Sequence, residues 1–315
     1  MKRSVSFTLA VVLLAACSNP PQEPEWARID VPGGAVVLSD VADCGGEWWV
    51  VGGIRLADGS TRPAAWTGTP LRPVTFVPRP TSYYGPRQLI RSVACAGREA
   101  AMVGATPGGA HGNPRVSTWH RLSDGRMAEN AAPFETYGGD EAVDVGPISA
   151  GPGGFAIAGN RTSGAAAWFS PDGRTFTLSE SRQGGSAARD VVAQPDGRWL
   201  VVGSGAWTQP WSPAPAPDGE IQRAVRDGDD VVAAGPDTVW RRHDGTWTVT
   251  ATFAGTPQGV RSLAVTHGQS VVVDGGLWIG DQRRDSPAEP VAVAARGDTL
   301  LLATADSLWQ TTVHR

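Results

Sequence analysis

Lysine is nearly absent. Lys2 is the only one, and arginine carries the rest of the positive charge. The chain has 27 basic against 31 acidic residues, a formal net charge of −4 and no basic tract. That removes the electrostatic footprint that nucleic-acid binding needs. Beyond the first seventeen residues no stretch is long and apolar enough to span a bilayer. No Gly-x-Ser-x-Gly elbow, P-loop or Gly-x-Gly-x-x-Gly after a strand occurs. His111, His120, His243, His267 and His314 show no metal-ligand spacing. Tyrosines are restricted to Tyr83, Tyr84 and Tyr137, and cysteines to Cys17, Cys44 and Cys95. No catalytic residue, cofactor or metal is therefore expected.

Turn formers are abundant. Gly (40) and Pro (25) make about a fifth of the 315 residues, and the remainder is rich in Val, Ala, Thr and Trp. This balance favours many short strands.

The N-terminus is an address. Met1-Lys2-Arg3 is a positive segment, and Val5 to Ala16 is an apolar run too short to cross a membrane. Leu14-Ala15-Ala16-Cys17 then resembles the lipobox of bacterial lipoproteins. The resemblance implies removal of residues 1–16, a lipid on Cys17, and residence at the outer face of the bacterial cytoplasmic membrane. An ordinary secretory signal is the competing reading, and it too exports the chain. Residues 17–25 are a Pro-rich, extended tether.

From residue 26 onward one unit recurs. Arg189-Asp190-Val191-Val192-Ala193 is an apolar strand, Pro195-Asp196-Gly197 a turn, and Trp199 to Gly203 a second apolar strand. Similar units begin at Arg91, Ile221 and Val260. A further strand carrying Trp follows each: Trp66, Trp119, Trp168, Trp207, Trp240, Trp278 and Trp309, at separations of 31 to 53 residues. That spacing, with antiparallel strands, points to the blades of a β-propeller. Residues 26–315 give about 41 residues to each of seven blades. In blade 1 the expected fourth strand is Val74–Val77. The last blade has three strands before the chain ends, and Trp26–Val31 alternates as a strand that can supply the fourth and close the ring. The sequence alone leaves open a ring of six or eight blades, or a two-domain β-sandwich.

Ser170-Pro171-Asp172-Gly173 resembles the Asp-box turn of sialidase-like propellers, with one spacer residue missing. Ser123-Asp124-Gly125 and Asp244-Gly245-Thr246-Trp247 are more degenerate forms. Gly52-Gly53 resembles one kelch blade. In sialidase-like propellers these boxes are structural, so the resemblance implies a fold and no chemistry. The arginine triad of sialidases is not discernible, and Arg28-Ile29 is followed by Asp30 where the sialidase segment has proline.

Cys44 and Cys95 hold equivalent places in adjacent blades. In an exported chain they are expected to form a disulfide, with two buried thiols as the alternative. Arg91, Arg189, Arg223 and Arg261 stand at entrances of inner strands, where a ring of guanidinium groups could hold a carboxylate or phosphate. Pairing with loop acids such as Asp190 or Glu220 is the competing explanation. Long loops carrying Tyr83, Tyr84, Tyr137 and His111 are expected at the same mouth. The resulting expectation is a monomeric binding scaffold at the cell envelope, with an envelope protein or glycan as partner. A divergent glycosidase or lyase is the alternative.

Overall fold

A computed structural model describes residues 24–108, 114–209 and 211–313. The signal segment, Cys17, most of the tether, His111 and His314 lie outside them. No helix among the described residues is long and apolar enough to cross a membrane.

Seven sheets, antiparallel but for one outer strand of the second, form a seven-bladed β-propeller. Innermost strands of blades 1 to 7 are Val36–Cys44, Leu89–Ala96, Ala142–Gly151, Ala188–Ala193, Arg223–Asp227, Ser262–Thr266 and Pro290–Arg296. Each pairs with the strand that follows it in sequence. The second strands are the most deeply buried, as in Glu47–Arg55 and Gly154–Arg161. They are covered on both faces by the neighbouring blades, which is why they read as continuous apolar runs and not as alternating ones.

The glycine found inside or at the end of several second strands has a steric cause. A Cβ on Gly52 would lie 1.9 Å from the carbonyl oxygen of Val37, and one on Gly203 would lie 1.9 Å from that of Ala187. No side chain fits where the incoming innermost strand crosses so closely.

The seven tryptophans expected to mark the blades all lie in third strands. Trp66, Trp119 and Trp168 are almost fully buried. Their indole N–H groups donate to Pro32 O at 2.7 Å, Gln88 Oε1 at 3.1 Å and Thr136 O at 2.6 Å. Each acceptor lies in the loop entering that same blade. The tryptophan thus joins blade packing to placement of the loops around the channel.

Ring closure follows the sequence expectation. Ala27–Ile29 pairs antiparallel with Leu308–Gln310 of blade 7. Residues from both ends of the chain thereby complete one sheet.

Blade 1 departs from expectation. Its fourth strand is Arg72–Pro73, and Phe76–Val77 instead runs parallel to Met127–Glu129 as a fifth strand of blade 2. The Phe76 ring meets Trp119 edge-on at 5.0 Å, so its best apolar contact belongs to the next blade. Blade 4 has the irregular outer half that its prolines require. Ser212–Pro213 is its whole fourth strand. Trp211 reaches back to blade 3, donating to Ser179 Oγ at 2.9 Å.

Cys44 and Cys95 are bonded, with Cα atoms 5.5 Å apart, between the ends of two innermost strands. The Ser170 turn is tied by two side-chain acceptors. Gly173 N–H donates to Ser170 Oγ at 2.9 Å, and Arg174 N–H to Asp172 Oδ1 at 2.9 Å.

Candidate functional site

The innermost strands of all seven blades contribute to one cavity of about 740 Å³ along the channel. That volume lies in the range of small-molecule sites. Its architecture follows from a single repeated position. Asp40 Oδ2 accepts from Val93 N–H at 3.0 Å, and Asp190 Oδ2 accepts from Ala224 N–H at 3.0 Å. Ser92 Oγ accepts from Ile148 N–H at 3.3 Å, and Ser262 Oγ from Val293 N–H at 3.1 Å. In each case a polar side chain on one innermost strand bonds the backbone of the next blade.

Where the position cannot do this, the link changes. Pro147 holds it in blade 3, and Asn160 of the second strand bonds both N–H and C=O of Ala188 in its place. Ala292 holds it in blade 7, and Leu38 N–H donates to Ala305 O at 2.9 Å across the closing seam. Blade 5 has Arg223, which donates through Nε to Arg261 O at 2.9 Å. A cation thus occupies the place taken by carboxylates in blades 1 and 4.

This register divides the four arginines proposed from sequence. Arg91, Arg189 and Arg261 come one residue before the linking position, and Arg223 is at it. Arg91 and Arg189 are the extra residues of bulges in their strands, and a bulge re-aims its side chain. Arg91, Arg223 and Arg261 line the cavity, and Arg189 does not. Arg189 is held outside by Glu220 at 2.8 Å. Arg261 lies 3.3 Å from Glu289, an acid that is largely exposed. Among the described residues Arg91 has no hydrogen bond or ion pair, and its side chain is exposed to the cavity.

The tyrosines separate as well. Tyr137 lines the cavity but is buried, its hydroxyl 3.2 Å from Thr118 Oγ1. Burial pushes its phenol pKa upward. Tyr83 and Tyr84 are not part of the cavity wall; they form an edge-on pair at 4.9 Å in the loop entering blade 2. Arg87 stacks on Tyr83 at 4.3 Å, and Arg115 lies 4.6 Å from the ring centre of Phe134.

Asp40 escaped the sequence reading, and Asp190 is not the loop acid expected there but a buried residue of the innermost strand Ala188–Ala193, bonded to backbone amides and not to an arginine. Asp40 and Asp190 line the cavity, and burial pushes both carboxyls up to about 6. Backbone N–H donors oppose that rise most strongly at Asp40, whereas at Asp190 the Arg223 charge is the foremost opposing influence. The available signal was a polar residue recurring before Val or Leu within apolar strands: Asp40-Val41, Ser92-Val93, Asp190-Val191 and Ser262-Leu263. Each aspartate spends both oxygens on backbone amides, its own next residue (2.9 Å and 2.8 Å) and the next blade. The third acid in the wall, Asp144, is bonded by Asn160 at 2.9 Å. No group of three or more His, Cys, Asp or Glu among the described residues could hold a metal.

No family model matches the chain. No curated protein matches it either. Solved structures with a similar fold do exist. An inactive virginiamycin B lyase from Staphylococcus aureus with quinupristin aligns with a TM-score of 0.59 at 12% identity, over 93% of this chain and 100% of that one. YCF48 bound to a D1 peptide aligns with a TM-score of 0.56 at 14% identity, over 94% and 98%. A chain of the mitotic checkpoint complex gives 0.56 at 11%, over 100% and 99%. At such identities the likeness concerns the propeller fold alone.

Proposed function

We propose that this protein is an exported binding scaffold, tethered by a lipid on Cys17 at the outer face of the cytoplasmic membrane. Its channel mouth takes a partner or ligand bearing a carboxylate or phosphate. The observation that carries this reading is Arg91, a guanidinium without a protein partner among the described residues, in a cavity shared with Arg223 and Arg261. A guanidinium in a concave site offers planar, bidentate donors to such groups. The rigid strands beneath and the aromatic side chains of the loops entering blades 2 and 3 fit a recognition surface. Among similar folds, YCF48 is bound to a D1 peptide, which supports binding as a use of this architecture.

A second reading is a lyase or glycosidase. Two carboxyls near pKa 6 in one cavity favour it, as does a fold neighbour named virginiamycin B lyase. Against it, both carboxylates are committed to joining blades. The binding reading rests on Arg91 and the enzyme reading on the aspartates, which makes them separable.

The test is calorimetric titration with anionic sugars, peptidoglycan fragments and phosphorylated sugars, on wild type and Arg91→Ala. Binding of an anionic compound that is lost in the variant, with an unchanged melting temperature, supports the proposal. Binding unaffected by Arg91→Ala, or turnover abolished by Asp190→Asn in a correctly folded protein, would replace it. Lipid attachment is checked separately by mass spectrometry of the mature N-terminus and its loss in Cys17→Ser.

A further inference from the structure

The outermost strand of a propeller blade has a free edge, and such edges template pairing unless they are blunted. Six of the seven here are blunted. Blade 1 ends in the two-residue strand Arg72–Pro73 and blade 4 in Ser212–Pro213, each closed by proline. Blade 2 is covered by Phe76–Val77. Blade 3 has four residues ending in Glu180, blade 6 has Gln282–Arg284 with two arginines, and blade 7 has Ala27–Ile29 with Arg28 at its centre.

Blade 5 is different. Its outer strand, Thr246–Thr252, is seven residues long, without charge or proline. It is last in its sheet, pairing only with Thr238–His243. Five of its residues are exposed, and Val249 is 61% exposed. Trp247 is tied inward, donating to Pro215 O at 2.8 Å. The strand therefore presents an open backbone edge about 24 Å long, with an apolar side chain at its midpoint.

The segment also reads nearly the same in both directions. Thr246, Thr248, Thr250 and Thr252 alternate with Trp247, Val249 and Ala251, and Val249 is the centre. Antiparallel pairing of this strand with itself about a two-fold axis through Val249 sets Thr246 against Thr252 and Thr248 against Thr250. It also sets Val249 against Val249 of the second copy. Thr–Thr and β-branched pairs are favourable cross-strand neighbours, and a self-complementary patch is what a two-fold dimer requires. A bulge at Thr250 is the strand's one irregularity, where Val239/Trp240 face Ala251/Val249.

We infer that Thr246–Thr252 is a homodimerisation edge, joining two copies of this chain through a continuous sheet across blade 5. This departs from the monomer suggested by the sequence. It is independent of the channel mouth, because blade 5's outer strand lies on the perimeter. The edge is small for an interface, so association is weak in dilute solution and gains from confinement when copies share a surface.

The test uses protein expressed from the full-length sequence with Cys17→Ser, so that an introduced cysteine is the only thiol outside the disulfide. Sedimentation velocity over a wide concentration range should show a monomer–dimer equilibrium. Val249→Lys should be monomeric throughout, with unchanged circular dichroism and melting temperature. Under mild oxidation Val249→Cys should give a disulfide-linked dimer. Thr246→Cys should not, since its two copies lie about 20 Å apart in this pairing. A monomer at every concentration overturns the inference. So does a dimer that persists in Val249→Lys, or equal crosslinking at both positions.

Discussion

Asp190 of blade 4 and Ala224 of blade 5 are joined by a 3.0 Å hydrogen bond from backbone amide to carboxylate. The residue next to Ala224 on the same strand is Arg223, whose charge draws down the Asp190 pKa. The contact that holds two blades together thus also sets the electrostatics of the channel wall.

That relationship predicts a pH dependence of stability. The Asp190 carboxyl stands at about 6 in the folded protein against 3.8 when unperturbed. Between those values the native state holds a proton that the unfolded state has released, so stability falls as pH rises from about 4 to 6. The shift corresponds to a contribution of at most about 3 kcal/mol. The difference in unfolding free energy between wild type and Asp190→Asn should slope downward through that window and flatten on either side. Asp172 and Asp196 have lowered pKa values from backbone hydrogen bonds and act oppositely at acid pH, but they cancel in the difference. Arg223→Met should raise the Asp190 pKa further, and that of Asp40 less, because Arg223 is the least of the influences on Asp40. Carboxyl carbon NMR titration reads both.

Removing the disulfide should cost stability without opening the ring. The bond closes a loop of 51 residues between two blades that also share an apolar core. Chain entropy alone assigns it about 4 kcal/mol. Urea denaturation of a Cys44→Ser, Cys95→Ser double variant should show a lower midpoint and a native-like far-ultraviolet spectrum.

Trp168 joins core packing to the rim. Trp168→Ala should destabilise by about 3–5 kcal/mol, as for other large-to-small core changes. It also frees the loop containing Phe134–Tyr137, which the indole N–H now holds through Thr136 O. Hydrogen exchange should show faster amides in that loop, beyond any global change.

Deleting residues 1–31 removes the strand Ala27–Ile29 and exposes the edge of Leu308–Thr312. It also removes Arg28, which donates to Ser307 Oγ at 3.3 Å and lies over Trp309 at 5.8 Å. The shortened protein should melt at a lower temperature and form aggregates on heating, as light scattering during the melt would record.

Much of the fold was legible in the sequence. The seven tryptophans, the repeating strand–turn–strand units and the alternating segment at Trp26–Val31 are local patterns, and they point to seven blades and to ring closure because each blade needs the same buried positions filled, while the choice against six or eight blades came from the sheets themselves. Cys44 and Cys95 were legible for the same reason, since equivalent places in adjacent blades come close. Phe76–Val77 was misplaced because its partner, Trp119, belongs to another blade and no local pattern reveals it. The site was decided by tertiary structure. Arg91, Arg189, Arg223 and Arg261 look alike along the chain, yet bulges and one-residue offsets turn two into the open cavity, leave Arg189 outside against Glu220, and make Arg223 a link between blades. A one-residue shift reverses the side a strand residue faces, and only the register of seven converging strands settles it.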